Sequence, residues 1–413
     1  MYRLLFYCIH QLIGEGDVYQ VNLTMRLKLS GVADAAHTYF TLRERARTGA
    51  CSFLNFADES VLSFSPEKFF VARNGRISVR PMKGTVPREP DFAGDAVARH
   101  ALQQDPKQRA ENLMIVDLMR NDISRVCKPG SVRVDDLFTI ETYPTFHTLT
   151  SGISGELSAP ATLSTLMPAL FPCGSVTGAP KIRAMEIIRE VESDPRGVYC
   201  GAIGFSSPEL TAFNVAIRTI SIRQDEAVLG VGGGIVWDSE AMSELEEARL
   251  KSRFFTEDTE PFRLLETIRW SDDEGFHLLE HHFARLARSC SHFGFAFDRE
   301  KILHHLNLTV EGKSGVQRLR LTLGIRGDTQ IECEPLVPGN AADSWRYIVA
   351  RERVNSRDWR LYHKTTRRDI YERLRSGTSG HESADEIVLV NERGELTEGC
   401  RSNIFLERDG IFL

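Results

Sequence analysis

The sequence predicts an α+β fold in two successive domains. Three observations predict it. Strand-like runs alternate with helical runs from the start of the chain to about residue 258. A short charged stretch, Thr256-Glu-Asp-Thr-Glu-Pro261, then reads as a linker. Beyond it the pattern restarts with a strand-like run, Leu264–Trp270, and a helix at 279–293. A length of 413 residues suits two or three domains with ample core. We place the domains at 1–258 and 259–413.

Composition narrows the functional classes. Hydrophobic residues make up 42% and charged residues 26%, ordinary for a soluble globular protein. The net charge of −6 comes with no long basic run, which argues against a nucleic-acid partner. No apolar stretch approaches the ~20 residues that span a bilayer, so no membrane is expected. The opening MYRLLFYCIHQLIGEG is interrupted by His10 and Gln11 and is followed by no small-residue cleavage site. It reads as a core helix rather than a signal peptide. Eight cysteines occur without a C-x-x-C pair, which points to reduced thiols and a cytoplasmic location.

Taken in order, Val18–Leu27 and Ser63–Ala72 read as strands, and 97–122, 180–192 and 239–255 as helical runs. Glu67, in Ser65-Pro66-Glu67, stands before a strand. Lys83, in Pro81-Met-Lys-Gly-Thr85, sits on a turn or strand end, where a lysine is ordinarily exposed. Asp105-Pro106 begins a helix well, with a capping residue and then proline. Within it Glu111 aligns with Ile115 and Leu118, so a carboxylate lies on an apolar face, which is unfavourable unless it is paired.

Phe171–Glu186, FPCGSVTGAPKIRAME, is a glycine-punctuated loop running into a helix. Gly174 and Gly178 permit backbone angles closed to other residues. Ser175 and Thr177 add hydroxyls, and Lys181 and Arg183 add positive charge. Pro180 suits a first helical position, after which Ile182, Met185 and Ile188 recur at helical spacing. Such a junction favours an anion, although glycine before a helix also reads as a tight turn. In the run at 239–255, Asp238-Ser239 are capping residues, and Glu244 and Glu247 are three apart with Lys251 one turn on. Like charges at that spacing repel by ~0.2–0.5 kcal/mol. A hard cation would relieve both this pair and Glu111, and oxygen ligands with open positions suit Mg²⁺. A glutamate-rich helix face is equally compatible with simple solvation.

The whole string Phe171–Glu186 also resembles the signature of the chorismate-utilising enzymes, which include the anthranilate and aminodeoxychorismate synthases. The resemblance spans residues 4–258 and implies a β-sandwich core with surrounding helices. Chorismate, the substrate it implies, carries two carboxylates, which an anion-cradling loop at Ser175, Thr177 and Gly178 would suit. Aminodeoxychorismate synthases carry P-x-K-G-T at the Lys83 position, whereas anthranilate synthases carry alanine in place of the lysine. By resemblance Lys83 attacks C2 of chorismate and expels the C4 hydroxyl with a double-bond shift. Ammonia then enters at C4 and the lysine leaves. Such a nucleophile must be partly neutral. Glu67 is then the general acid that protonates the departing hydroxyl, a task for a carboxyl that burial keeps protonated.

The resemblance also makes Glu111 and Glu247 Mg²⁺ ligands, with Glu244 nearby, clamping the C1 carboxylate. Tyr199, Arg218 and the triple glycine Gly232, Gly233 and Gly234 would hold the enolpyruvyl carboxylate. Lys251 would contact the metal-bound carboxylate. Ammonia would come from a glutamine amidotransferase partner, since no glutaminase nucleophile motif is present. In one departure, anthranilate synthases carry histidine before Leu-Val-Ser. Here Thr148 occupies that slot and His147 precedes it. Neighbouring strand residues face opposite ways, so His147 would need a bulge to substitute.

Residues 262–413 resemble the class IV aminotransferase fold, the family that includes 4-amino-4-deoxychorismate lyase, and imply an α/β domain with pyridoxal phosphate. Lys364, in Tyr362-His-Lys-Thr-Thr-Arg-Arg368, matches the catalytic cofactor lysine. Glu398 matches the carboxylate on the pyridinium nitrogen, and Arg285 a phosphate-contacting arginine. The expected reaction is loss of pyruvate to give 4-aminobenzoate. Set against the two families, the chain lacks the segment that usually precedes GDVYQVNL and the last third of the aminotransferase fold. We therefore expect a trimmed synthase–lyase fusion with weak cofactor binding. Two other readings stay open: an anthranilate or isochorismate-type enzyme, and a non-catalytic fragment that binds chorismate or the amidotransferase.

Overall fold

A computed structural model describes residues 2–412 apart from 31, 33, 161, 225, 257–259, 337–344, 379, 381 and 382. Half of the expected linker, 257–259, lies outside the described residues. The chain forms two compact units, Met1–Arg88 with Ala98–Thr259, and Glu89–Val97 with Glu260–Leu413.

The first unit opens with α1 (Tyr2–Gly14), β1 (Gln20–Leu29), α2 (Ala35–Ala46), β2 (Ala50–Asn55), β3 (Ser60–Ser65) and β4 (Lys68–Arg73). β5 (Arg76–Arg80), β6 (Met82–Pro87), α3 (Phe92–Gln104), α4 (Pro106–Ser124), β7 (Arg133–Thr142) and β8 (Phe146–Glu156) follow, the first residues of α3 belonging to the second unit. Then come α5 (Leu163–Leu170), β9 (Gly178–Ala179), α6 (Lys181–Val191), β10 (Ala202–Ser206) and β11 (Leu210–Val215). β12 (Thr219–Arg223), β13 (Glu226–Ile235), α7 (Ala241–Leu250) and α8 (Arg253–Thr256) complete it. One sheet has the order β2-β3-β12-β13-β1-β9. The other runs β10-β11-β4-β5-β8-β6, with β7 also paired to β8.

The α+β expectation holds, and burial explains the layers. β8 is buried along nearly its whole length because strands flank it on both sides and α4 covers it. Ile115, Met119 and Ile123 of α4 pack on Phe69, Ile77 and Ile153 of that sheet. Asp105 caps α4, accepting from the backbone N–H groups of Lys107 and Gln108 at 2.8 and 3.0 Å. Tyr39 and Leu42 of α2 cover Leu62, Phe64 and Leu229 of the other sheet.

Three expectations need correction. Ser63–Ala72 is not one strand: it divides into β3 and β4, which lie in different sheets. Pro66 has no N–H to donate to a ladder, so pairing lapses there and the chain crosses over. The helical run at 239–255 is α7 and α8, and the residue that precedes α7 is Glu240, whose side chain makes no capping bond, rather than Asp238 or Ser239. Pro180 lies just before α6, extended at ψ 141, so Lys181 is the first helical residue.

The second unit contains β14 (Leu264–Ser271), β15 (Gly275–Phe276), α9 (Leu279–Phe293), α10 (Arg299–Val310), β16 (Gln317–Leu323) and β17 (Thr329–Pro335). β18 (Tyr347–Val349), α11 (Asp369–Gly377), β19 (Glu386–Val390) and β20 (Leu396–Gly399) follow. The strand and helix expected after the linker are β14 and α9. Phe283 and Leu286 of α9 and Ile302 and Leu306 of α10 cover a sheet of order β15-β14-β16-β17. A second sheet, β18-β19-β20, packs on Ile370, Tyr371 and Leu374 of α11. Among the described residues no helix is long and apolar enough to cross a membrane. All eight cysteines are free thiols.

Candidate active site

Lys83 is placed by a bulge. Along β6 the register with β8 slips between Lys83, opposite Leu149, and Thr85, opposite Thr148. The extra residue is Gly84, at φ +84, where a side chain would be strained. A Cβ there would also meet Gln108 Oε1 of α4 at 2.6 Å. Bulges re-aim the side chains beside them. Here Lys83 Nζ lies 3.0 Å from Glu111 Oε2 on α4, with both side chains largely buried. The carboxylate on the apolar face of α4 therefore has its partner. Thr148 Oγ1 donates to the Gly84 carbonyl at 2.8 Å, while His147 Nδ1 is hydrogen-bonded to Thr142 Oγ1 at 2.9 Å. The two neighbours face opposite ways, as strand geometry demands, and the bulge lies on β6 rather than at His147.

Glu67 sits at the crossover between the two sheets and is only 4% exposed. Its Oε1 is buried with no hydrogen-bond partner among the described residues. Burial pushes the carboxyl up to about 7, against the opposing pull of Ser175, the Met82 backbone, Lys83 and Lys251. Lys251, at the end of α7, donates to the Gly232 carbonyl at 2.9 Å and pairs with Glu247 Oε1 at 2.8 Å. Glu244 Oε1 accepts from Ser239 Oγ at 2.6 Å. A Cβ on Gly233 would come within 3.0 Å of Glu244 Oε2, so the bare backbone allows this carboxylate in. Burial raises Glu244, and Glu247 raises it further. Burial would raise Glu247 too, but the Lys251 ion pair outweighs it and holds this carboxyl below its ordinary value. Lys83 acts electrostatically on Glu67, Glu244 and Glu247 as well as pairing with Glu111. One ammonium thus serves four carboxyl groups drawn from three separate segments, the β3–β4 crossover, α4 and α7.

The loop 171–180 departs from expectation. Lys181 faces a carboxylate of the protein itself rather than a ligand anion. Its Nζ donates to Asp122 Oδ2 at 2.6 Å and to the carbonyls of Leu170 and Pro172 at 3.1 and 3.0 Å. Arg183 pairs with Asp17 and Glu186 near the surface. Both positive charges are paired with the protein's own carboxylates, Arg183 near the surface and Lys181 in the interior, where a buried ammonium demands a counter-charge and nearby acceptors. Thr177 Oγ1 donates back to the Cys173 and Gly174 carbonyls at 3.1 and 3.2 Å, closing its own turn. Gly178, at φ +149, lets β9 pair with β1; a Cβ there would meet the Gln20 carbonyl at 2.1 Å. Of this loop, Ser175 acts on the Glu67 carboxyl.

The guanidinium of Arg218 stacks on Phe146, 4.5 Å from the ring centroid. Burial lowers its pKa to about 10, and among the described residues no carboxylate pairs with it. A desolvated guanidinium without a counter-ion suits a ligand carboxylate. Gly232, Gly233 and Gly234 pair with β1 on one side, and the β12 ladder stops at Leu229, leaving the other edge of the backbone open. Tyr199 packs its ring against Gly230. Burial raises its hydroxyl, and its strongest charged neighbours are Cys200, Arg196 and Glu192 rather than Arg218.

In the second unit, Lys364 Nζ donates to Thr267 Oγ1 at 3.3 Å. Burial lowers the amine, with Glu266 opposing and Arg285 and Arg368 assisting. Arg285 grips the buried Glu266, donating from Nε to Oε1 at 2.8 Å and from Nη2 to Oε2, and His282 adds a third contact at 2.7 Å. Glu398 accepts from the Tyr371 hydroxyl at 2.7 Å, and burial raises it. Arg368 acts on both Lys364 and Glu398, so the two lie around one guanidinium.

Two family profiles match the chain, chorismate binding enzyme over residues 2–257 and amino-transferase class IV over residues 263–413. The chain belongs to the chorismate binding enzyme family. The chain is 44% identical to aminodeoxychorismate synthase component 1 of Klebsiella aerogenes over 241 residues, 58% of this chain and 53% of that protein. It is 38% identical to anthranilate synthase component 1 of Mycolicibacterium smegmatis over 255 residues, 59% of this chain and 49% of that protein. The crystal structure of anthranilate synthase component I from Streptococcus pneumoniae superposes with a TM-score of 0.57 at 33% identity, covering 62% of this chain and 57% of that one. The chain spans about half the length of the curated relatives it matches.

The residues of this chorismate binding enzyme fit Mg²⁺ by donor chemistry. Glu111, Glu244 and Glu247 offer only oxygen and share one compensating lysine ammonium with Glu67. Among the described residues no three His, Cys, Asp or Glu side chains form a ready-made cage. Mg²⁺ commonly takes one or two protein carboxylates and completes its shell with water and substrate oxygens. The class IV aminotransferase match implies dependence on pyridoxal phosphate. A desolvated amine at Lys364 and a buried carboxyl at Glu398, both beside Arg368, fit that group. Arg285 reaches it only with the guanidinium edge that Glu266 leaves open.

Several site residues have no sequence signal. Gln20 is fully buried, both its amide atoms lack a hydrogen-bond partner among the described residues, and its amide lies against Gly234. Ser239 and Tyr371 each donate to a site carboxyl, and Arg368 acts electrostatically on Glu398, yet nothing in their spacing marks them.

Proposed function

We propose that this chorismate binding enzyme aminates chorismate at C4, giving 4-amino-4-deoxychorismate for 4-aminobenzoate supply in the cytoplasm. A glutamine amidotransferase subunit provides the ammonia. The observation that supports this most is Lys83, turned by the Gly84 bulge into a largely buried ring of Glu67, Glu111, Glu244 and Glu247.

Each side chain has a task. Glu67 still carries a proton in a large share of molecules near neutral pH because burial disfavours the anion, and it delivers that proton to the departing C4 hydroxyl. Lys83 forms a bond to C2 as both ring double bonds shift one position and the C4–O bond breaks. Ammonia then adds at C4 and gives up a proton, both double bonds shift back, and the lysine departs from C2 as a protonated amine. Arg218 and the open backbone edge at Gly232–Gly234 take the enolpyruvyl carboxylate, with Tyr199 backing that strand, and Ser175, Thr177 and Gly178 border the ring. Glu111 and Glu247, with Glu244 nearby, would hold Mg²⁺, which when bound supplies positive charge for the ring carboxylate; Lys251 orients Glu247.

The second unit supports a lyase step, elimination of pyruvate to give 4-aminobenzoate. Pyridoxal phosphate, when bound, supplies an electron sink. Lys364 would hold it and move a proton, Glu398 would pair with its ring nitrogen, and Arg285 would contact its phosphate.

The test is product identification by chromatography from chorismate, ammonium and Mg²⁺. Wild type should give 4-amino-4-deoxychorismate, and Lys83→Ala none. An ortho product, anthranilate, would establish the alternative reading. Undiminished amination at C4 by Lys83→Ala would overturn the role of the lysine.

A further inference from the structure

The reaction above gives no task to Thr148, although it lies against the strand that carries Lys83. Thr148 is buried on β8, and its Oγ1 donates at 2.8 Å to the carbonyl of Gly84, the bulge residue of β6. Among the described residues Gly84 opposes none on β8, and β6 ends the order of its sheet. A bulge leaves its extra residue outside the ladder. The threonine hydroxyl therefore supplies the donor that the ladder does not.

The bulge decides which face Lys83 takes. Lys83 opposes Leu149, and Thr85 opposes Thr148. Neighbours on β8 face opposite ways, so Lys83 and Thr85 do as well, although they are two apart. Lys83 thereby meets Glu111 on α4, while Thr85 is exposed. If the bulge closed with Thr85–Pro87 in place, Gly84 would oppose Leu149 and Lys83 would oppose Thr150, on the far face. A one-residue slip turns a strand over in this way. Resting on the reading of Lys83 as nucleophile, we propose that Thr148 is a positioning residue. By holding the Gly84 carbonyl, its hydroxyl keeps the bulge open and keeps Lys83 on the face where it meets C2 of the substrate.

The experiment follows the first covalent step by itself. The Nζ–C2 bond forms, the C4–O bond breaks, and the hydroxyl leaves as water with the proton of Glu67. With chorismate and Mg²⁺ but no ammonium, the full chain should accumulate this adduct, read by intact mass spectrometry as chorismate less one water. Thr148→Val keeps the shape and loses the donor. It should form the adduct about 10²-fold more slowly, the order for an ångström-scale misplacement. Thr148→Ser restores the hydroxyl and should return most of the rate. Chorismate affinity, titrated calorimetrically in the Lys83→Ala background, should not change on adding Thr148→Val. A wild-type adduct rate in Thr148→Val overturns the inference and leaves Lys83 as the nucleophile. Equal losses in the valine and serine variants also overturn it, as does a loss of chorismate affinity in step with the rate, because the side chain then only holds the fold. Absence of any adduct in wild type overturns the nucleophile reading and the role of Thr148 with it.

Discussion

Glu67→Gln should change how stability depends on pH, by an amount that follows from burial. The carboxyl rises from its ordinary 4.5 to about 7 because the anion is desolvated, with Ser175, Met82, Lys83 and Lys251 offsetting only part. Below pH 4.5 the group is protonated in both the folded and the unfolded chain and contributes nothing. Between 4.5 and about 7 the folded protein keeps a proton that the unfolded chain has released, so stability falls as pH rises. Above about 7 the full penalty is present. At about 1.4 kcal/mol per pH unit, the penalty is about 3 kcal/mol. Glutamine cannot ionise and escapes it. For a unit of this size each kcal/mol moves Tm by roughly 2–4 °C. Relative to wild type, the variant should therefore gain about 6–12 °C between pH 4.5 and pH 8 in calorimetric scans of the first unit. Parallel Tm curves for the two proteins would refute a buried, proton-holding Glu67. The same substitution should lower kcat/KM for amination by about 10²–10⁴-fold, and the wild-type rate should fall above pH 7.

Two further outcomes test the rest of the framework. Asp122→Ala strands the Lys181 ammonium in the interior and should cost about 3–5 kcal/mol in urea denaturation. A loss under about 1 kcal/mol would mean the pair does not clamp the 171–180 loop. Lys364→Ala should abolish the long-wavelength absorbance of bound pyridoxal phosphate; an unchanged band would remove Lys364 from the cofactor.

Much of the machinery was legible because it is local. The capping of α4 by Asp105 and the inward face of Glu111 both follow from helical spacing. The opposed faces of His147 and Thr148 follow from the period of a strand. The loop at 171–180 was legible as special, yet the role of its charges was not. Lys181 and Arg183 read as anion-binding, but Lys181 holds Asp122 and two carbonyls, a choice made by burial rather than by sequence neighbours.

By itself the sequence determined which segments become helices and strands beside the site, and which side chains have the chemistry for it. Only the tertiary structure decided that Pro66 divides one strand-like run between two sheets and leaves Glu67 buried at the crossover. Only it decided that a bulge at Gly84 aims Lys83 at Glu111 and brings the lysine close enough to act on the carboxylates of α7. The physical reason is range. Helical and strand periodicity are set by neighbouring residues, whereas desolvation and charge pairing depend on segments that meet only when the sheets close.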